Sequence, residues 1–358
     1  MNVAPWTQPW ESTLGLPQGT PAWLVAILAI TLIYVLVIVP SSAVMSFLDR
    51  KLGADLQARV GPNRSGPKGI LQPLLDLLKL LQKEGQQPVS LGERLWLGVH
   101  TMALYSTVAV LPLGSMLLLV DTEMSAFLPF WAALVLALGT MILGLNQGSV
   151  PGWFGGVRVA SQALAGAFPA LVCLICAGIQ AGGFRWSQLV GAQGASPFSW
   201  GLFSTPFQFV AFGVFVISGL VLMGVPPLDG GLSVQDIHGG VASHLHGTKL
   251  SLFRMGRFYG FFLWSVIAVV LFLGGWKLPN GLVTGMKDSE AFRLLELGEL
   301  CLILFKTFFL MLGISLIARV TPRMRADQIT DMAWKVLSPL SLFALASSAI
   351  WSGLAALK

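Results

Sequence analysis

Eight apolar runs of bilayer-spanning length dominate this chain, at about 22–46, 97–120, 128–147, 157–181, 206–225, 258–276, 299–319 and 335–354. A helix needs roughly 20 predominantly apolar residues to cross the hydrocarbon layer. Inside lipid every backbone N–H and C=O must be satisfied within the spanning structure, which leaves only helices and closed barrels. The runs are apolar all round rather than alternating, so they predict helices and exclude a barrel. The expected fold is an all-α polytopic membrane protein with about eight transmembrane helices. Composition agrees: 55% of the 358 residues are hydrophobic and 11% charged, where a soluble domain carries about 25% charge.

A single membrane domain over 1–358 is expected. Before Arg50 there is no Lys or Arg, and the residues before Pro21 are rich in polar side chains and proline. The basic region of a signal peptide is therefore lacking, and the first span reads as a retained helix with 1–21 as an external segment. With that end outside, the inward loops are 48–96, 148–158, 226–257 and 319–335. They hold sixteen of the 22 Lys and Arg, against five in the outward segments. So strong a bias puts both termini outside the cytoplasm of a cell inner (plasma) membrane. The net charge of +6 follows from that bias and suits anionic lipid or an acidic partner, and nucleic acid is not needed to explain it.

The three cysteines, Cys173, Cys176 and Cys301, all fall within predicted spans. Cys173 and Cys176 stand one helical turn apart in an apolar run with no histidine beside them, so they read as small hydrophobes rather than a redox or metal pair. Three scattered thiols cannot supply the four ligands of an iron–sulfur cluster. No metal site, nucleotide-binding motif or internal repeat is apparent.

Polar residues concentrate in the loop at 48–96. Asp49-Arg50-Lys51 follows the first span at once. Next come Arg59, Gly61-Pro62-Asn63, Arg64, Gly66-Pro67 and Lys68, an alternation of turn residues and cations that predicts a rigid, folded-back loop. From Ile70 to Glu84, Leu71, Leu74, Leu75, Leu78 and Leu81 recur at helical spacing, while Gln72, Asp76, Lys79 and Lys83 form a second stripe. That pattern predicts an amphipathic helix lying in the membrane interface.

These residues resemble one family. Asp49-Arg50-Lys51, the run Arg59-x-Gly61-Pro62-Asn63-x-x-Gly66-Pro67-x-Gly69, and Leu71-Gln72-Pro73 with Asp76, Lys79, Lys83 and Glu84 are similar to the first loop of the quinone-site membrane subunit of respiratory complex I, the NADH–quinone oxidoreductase. Leu271 to Trp276, Lys306-Thr307-Phe308-Phe309, Arg319, Pro322 to Gln328 and Trp334 to Leu337 resemble later parts of it. The likeness runs from about residue 25 to 352.

The resemblance implies a non-autonomous subunit of a proton-translocating NADH:quinone oxidoreductase. Its inward loops would form the floor of a quinone chamber and seat the peripheral arm. Arg50, Lys51 and Arg59 would line or brace the entrance. Gly61, Pro62, Asn63, Gly66 and Pro67 would shape the loop against the iron–sulfur and quinone-site subunits of that arm. The helix carrying Gln72, Asp76, Lys79 and Lys83 would frame the mouth. Quinone would be bound as substrate, with the iron–sulfur cluster and flavin held by partner subunits, and the other membrane subunits of the complex as neighbours. Asp49, Arg158, Asp229, Asp236, His244 and Lys306 would form the charge path. Lys306 is expected to face the bundle interior and pair with Glu299, seven residues earlier on the same helix face. Arg323 and Arg325 are expected to anchor the last loop and meet an acidic partner.

The chain departs from the family in its carboxylates. Arg158 and Gln162 match, but the family's usual glutamate falls on Ala167. Pro226-Pro227-Leu228-Asp229 matches the opening of the third inward loop, yet positions usually acidic fall on Leu232, Val234, His244 and Arg257, with Asp236 alone kept. An intramembrane acid costs on the order of 2.5–3.5 kcal/mol to place and is retained chiefly where it works. Two consequences stay open: a proton path lost or altered, or one partly taken over by His238, His244 and His246. A related anchor subunit of an energy-converting hydrogenase or ferredoxin-linked complex, or a non-pumping paralogue, are the competing assignments.

Overall fold

The computed structural model describes residues 21–83, 90–115, 117–118, 121–231, 240–243, 245–278 and 289–356. Among them seven helices are long and apolar enough to cross a membrane, and no strand is present. Asp236, His238, His244, Leu232 and Val234 lie outside the described residues, as does the segment 1–20.

The first span is longer than its apolar run. Helix α1 (Ala22–Ile33) passes through a wide π-turn (Tyr34–Ile38) into α2 (Val39–Leu56) without a break. Pro40, just after the π-turn, has no N–H to offer the carbonyl four residues back, and the wider turn makes room for its ring. The same device recurs near the end of the chain, where a π-turn (Ala333–Leu337) before Pro339 joins α10 (Ala326–Met332) to α11 (Ser338–Ala356). Asp49, Arg50 and Lys51 therefore sit on the last turns of α2, not in a loop: nothing in Asp49-Arg50-Lys51-Leu52-Gly53-Ala54 stops a helix. The last inward loop, expected at 319–335, shrinks likewise to 321–325 between α9 (Ser289–Val320) and α10.

Helix α3 (Gln72–Gln82) is the expected amphipathic helix, with Leu71, Leu74, Leu75, Leu78 and Leu81 all exposed. The expected second span is shifted, and it is the one of the eight that is not among those seven helices. Helix α4 runs Leu91–Val110, six residues ahead of the expected start, because Ser90 and Glu93 form a reciprocal N-terminal capping box. It stops before Pro112, whose ring disfavours helix at the residue ahead of it. Helices α5 (Leu128–Asn146), α6 (Val150–Ala181), α7 (Pro206–Met223) and α8 (Gly247–Phe272) complete the set.

Helix α6 is the hub, packed against α5, α7 and α11. It carries Gly155, Gly156, Ala160, Ala163, Ala165, Gly166, Ala167 and Ala170, all buried. Small side chains let backbones approach closely where lipid supplies no hydrophobic drive between helices. Helix α8 is the most enclosed, with every residue from Tyr259 to Phe272 buried. It touches α7 on one side, and α9, α2 and α3 on the other. That second side is where the charges gather.

Candidate functional site

The loop after α2 is built by backbone geometry. Ala58 adopts a left-handed conformation (φ 53°), and Arg59 N donates to Ala54 O at 2.9 Å while Ala58 N donates to Asp55 O at 3.1 Å. This double bond satisfies helix-end carbonyls. The chain then folds back on itself: Leu71 N donates to Ser65 O at 3.1 Å, and Ser65 Oγ to Gln72 Oε1 at 2.6 Å. Gly69 makes the fold possible. Its φ is +85°, and a Cβ there would lie 2.4 Å from the Pro62 carbonyl carbon and oxygen. Only glycine fits both demands.

Helix α3 is tied to α2 through Asp76. Arg50 Nη1 donates to Asp76 Oδ2 at 2.6 Å, and Gln72 Nε2 to Asp76 Oδ1 at 2.9 Å. Desolvation pushes the Asp76 carboxyl up, but the hydrogen bonds from Arg50 and Gln72, with the charge of Arg50, outweigh it and hold the pKa below the ordinary aspartate value. Further in, Asp49 accepts from Ser315 Oγ at 2.5 Å and from Arg319, joining α2 to α9. Asp229, buried after α7, pairs with Arg323 at 3.1 Å. At the outer edge Lys249 Nζ donates to Glu93 Oε2 at 2.6 Å, with both side chains largely covered, so α8 and α4 are clasped at their starts.

Three spaces open between these elements. A groove of about 80 Å³ lies between α2, α3 and α8, lined by Val39, Ala43, Leu74, Leu77, Leu80, Met255 and Phe258, with Arg50, Asp76 and Arg254 among its polar residues. A chamber of about 280 Å³ lies between α2, α8 and α9 and holds Asp49, Arg254, Arg257, Phe258, Phe261, Ser315, Arg319 and Arg323. A mouth of about 380 Å³ is walled by Arg50, Gly53, Arg59, Gly61, Pro62, Gln72 and Arg319. They share walls: Arg254 and Phe258 face both groove and chamber, Arg50 both groove and mouth, Arg319 both chamber and mouth. Six arginines against two aspartates line the set. An apolar body entering the groove would meet an anion-favouring end beyond it.

The structure sorts the expected residues. Arg50, Arg59, Gly61, Pro62, Gln72 and Asp76 come together in these walls, and Asp49 joins them. Lys51 lies beside them, against Gly61. Asn63, Gly66 and Pro67 are exposed on the loop, as are Lys79 and Lys83 on α3. Arg158 stands apart on α6. Asp229 lies behind Arg323. Arg323 thus pairs with an acid of its own chain, as an anchor of the last loop does, with its side chain still 40% exposed.

Lys306 requires a correction. It does not pair with Glu299, which accepts instead from Ser115 N at 2.9 Å and Ser115 Oγ at 2.6 Å. Lys306 Nζ donates to Leu273 O at 2.8 Å and Gly275 O at 2.9 Å and lies 4.6 Å from the Trp200 ring centroid. Carbonyls past the end of α8 lack helical donors, so they form a ready cation cradle. Thirteen positions separate Lys306 from Arg319, about 20 Å along α9; the lysine belongs to the far end of the bundle.

Sequence reasoning missed Arg254, and found Arg257 only as a departure. The signal was there: the two stand three apart, on one side of a helix that extends back to Gly247 through Met255 and Phe253. Counting the span only from 258 hid them.

The geometry defines a class: a polytopic helical membrane protein with a cation-walled cavity between its helices. Residues 28–349 match the family described as NADH dehydrogenase. Relatives named as subunits of NADH-quinone oxidoreductase include that of Chlorobaculum parvum, 30% identical over 98% of this chain and 99% of the relative. That of Chlorobaculum tepidum is 29% identical with the same coverage. That of Anaeromyxobacter dehalogenans is 26% identical over 99% of this chain and 87% of the relative. The chain belongs to this NADH dehydrogenase family.

Proposed function

We propose that this chain is the membrane subunit that forms the quinone chamber of an NADH–quinone oxidoreductase and seats its peripheral arm. The observation that carries this reading is the run of three spaces with shared arginine walls, apolar at the groove between α2, α3 and α8 and cationic at chamber and mouth. A quinone is an apolar body ending in two carbonyl acceptors. Its tail suits Leu74, Leu77, Leu80, Met255 and Phe258, and its head suits Arg254, Arg257 and Arg319. Cations placed where charge develops stabilise a reduced head more than a neutral one.

The chain is one part of the enzyme and supplies no redox group of its own in this reading. Electrons reach the head from an iron–sulfur cluster in a partner, fed by NADH through a flavin held elsewhere in the arm. The exposed loop at Asn63, Arg64, Gly66, Pro67 and Lys68 is the seat for that arm. Its exposure in the isolated chain and its fold-back around Gly69 support a preformed docking surface. The cation-rich side faces the cytoplasm of the plasma membrane, with both termini on the other side.

Photoaffinity labelling of the assembled complex with an azido-quinone tests the reading. Crosslinks are expected on α2, α3 and α8 around Arg50, Leu77 and Phe258. Labelling confined to other subunits, or to the α11 face, would end it.

A further inference from the structure

Behind the chamber lies a second, smaller cavity of about 50 Å³, between α4, α5, α6, α7 and α8. Its walls are mostly apolar, but His100, Gln162, Thr140, Asp229 and Arg257 reach it. Arg257 lines the chamber as well, so one side chain separates the two spaces. His100 is 3% exposed and Gln162 1%. Both ring nitrogens of His100, and Gln162 Nε2, lack a hydrogen-bond partner among the described residues; the Leu252 backbone comes nearest to supplying one. Buried polar groups are nearly always satisfied, by water where protein does not reach. A cavity with three unpartnered polar atoms and room for roughly one to three waters is therefore hydrated rather than dry.

The imidazole is held there deliberately. It stacks near Trp96, with ring centroids 4.9 Å apart, and its Nε2 lies where a Cβ on Gly256 would be, 2.4 Å away. The missing side chain at Gly256 thus seats His100 against the backbone one residue before Arg257. The ionisable groups sharing the cavity with His100 are Asp229 from the segment after α7 and Arg257 from α8, with Arg323 paired to Asp229 behind; α5, α6 and α7 present none to it among the described residues.

We propose that this cavity is a hydrated proton-holding site in which the His100 imidazole takes a proton from the water within it when negative charge arrives on the chamber side of Arg257, and returns it when that charge leaves. The step is a proton transfer alone: a ring nitrogen gains H⁺ from the water, the hydroxide left behind is reprotonated from the aqueous side, the net change is uptake of one H⁺, and no electron moves. Negative charge in the chamber draws the field of Arg257 and Arg323 toward itself, so the cavity becomes more hospitable to imidazolium and Asp229 is left to stabilise it. The site rests on the chamber being where quinone is reduced.

Redox-triggered infrared difference spectroscopy on the assembled complex, with ring-labelled histidine, NADH and a short-chain quinone, tests it. The expected result is an imidazole-to-imidazolium band that accompanies quinone reduction and is lost in His100→Gln. A complex that reduces quinone with the same histidine bands in both proteins overturns the assignment while leaving the chamber reading intact. A complex that reduces no quinone overturns both. Should H100Q fail to assemble, a water-resolving cryo-EM map of the unaltered complex decides: density bridging His100, Gln162 and Asp229 supports the site, and an empty cavity refutes it.

Discussion

The two flanks of α8 carry polar groups within the same two turns, yet they make opposite environments. Toward α2 and α9, Arg254 and Arg257 face a chamber with Phe258 and Phe261 beside them, and carboxylates are outnumbered. Toward α5 and α6, Gly256 and Phe253 face a smaller space of about 50 Å³, where both ring nitrogens of His100 and Gln162 Nε2 go unanswered among the described residues. Volume and charge excess mark a place for a ligand; unmet hydrogen bonds in a tight space mark a place for water. Arg257, common to both, is where one flank senses the other.

The largest blow to this contrast is Asp229→Ala. Asp229 is 4% exposed at its side chain and neutralises Arg323, and Arg257 also feels its charge. Breaking a buried pair costs about 3–5 kcal/mol; with Arg323 40% exposed, about 3 kcal/mol is expected. Thermal unfolding of the assembled membrane domain measures it. If D229A melts with the parent, the two flanks are not held apart by this network.

Gly256→Val comes next. Its Cβ would lie 2.4 Å from His100 Nε2, so the ring must leave its packing on Trp96 or crowd the valine, and overpacking of about 2 kcal/mol is expected. The chamber side should feel little of this. The Michaelis constant for quinone is therefore expected to stay near the parent's while stability falls. A large rise in that constant would show that the two flanks are not mechanically separate.

Arg254→Ala reverses the pattern. Arg254 is exposed to the chamber, so its removal changes stability by less than about 0.5 kcal/mol. Loss of one cation that contacts the bound head is expected to raise the quinone Michaelis constant about tenfold, the equivalent of about 1.4 kcal/mol. Steady-state kinetics in proteoliposomes across quinone concentrations provides the check.

How much of this could be read beforehand differs between the two flanks. Seven of the eight apolar runs lie on helices long and apolar enough to cross a membrane, and Leu71 to Leu81 against Gln72 to Lys83 placed the amphipathic helix almost to the residue, because periodicity survives in a single segment. Arg50 and Asp76 could be placed on neighbouring elements, though not paired. The smaller cavity was illegible: His100, Gly256 and Gln162 come from three helices, and although Gln162 matched the family, nothing in the sequence brought the three together. Helix ends were misjudged where a polar stretch contains nothing that stops a helix, as at Asp49 to Ala54 and Ala326 to Met332. A proline after a π-turn, which usually signals a stop, was instead absorbed within the span.

The smallest expected effect concerns acid. The Arg50 and Gln72 contacts hold the Asp76 carboxyl below its ordinary value. Such a group stabilises the folded arrangement fully above its unfolded pKa, about 3.9, and loses that contribution as pH falls through the lower folded value. Between pH 5 and pH 8 the clasp between α2 and α3 should therefore be indifferent to pH. Arg50 and Asp76 side chains are 40% and 31% exposed, so solvent screening keeps the contribution within about 0.2–1 kcal/mol. Asp76→Asn should remove it at neutral pH and flatten the acid limb of stability below about pH 4. Spin labels on Leu74 and Met255, spanning the groove, report whether α3 swings away. If the parent groove widens between pH 8 and pH 6, some other group governs α3, and the groove's link to the arginine walls must be redrawn around it.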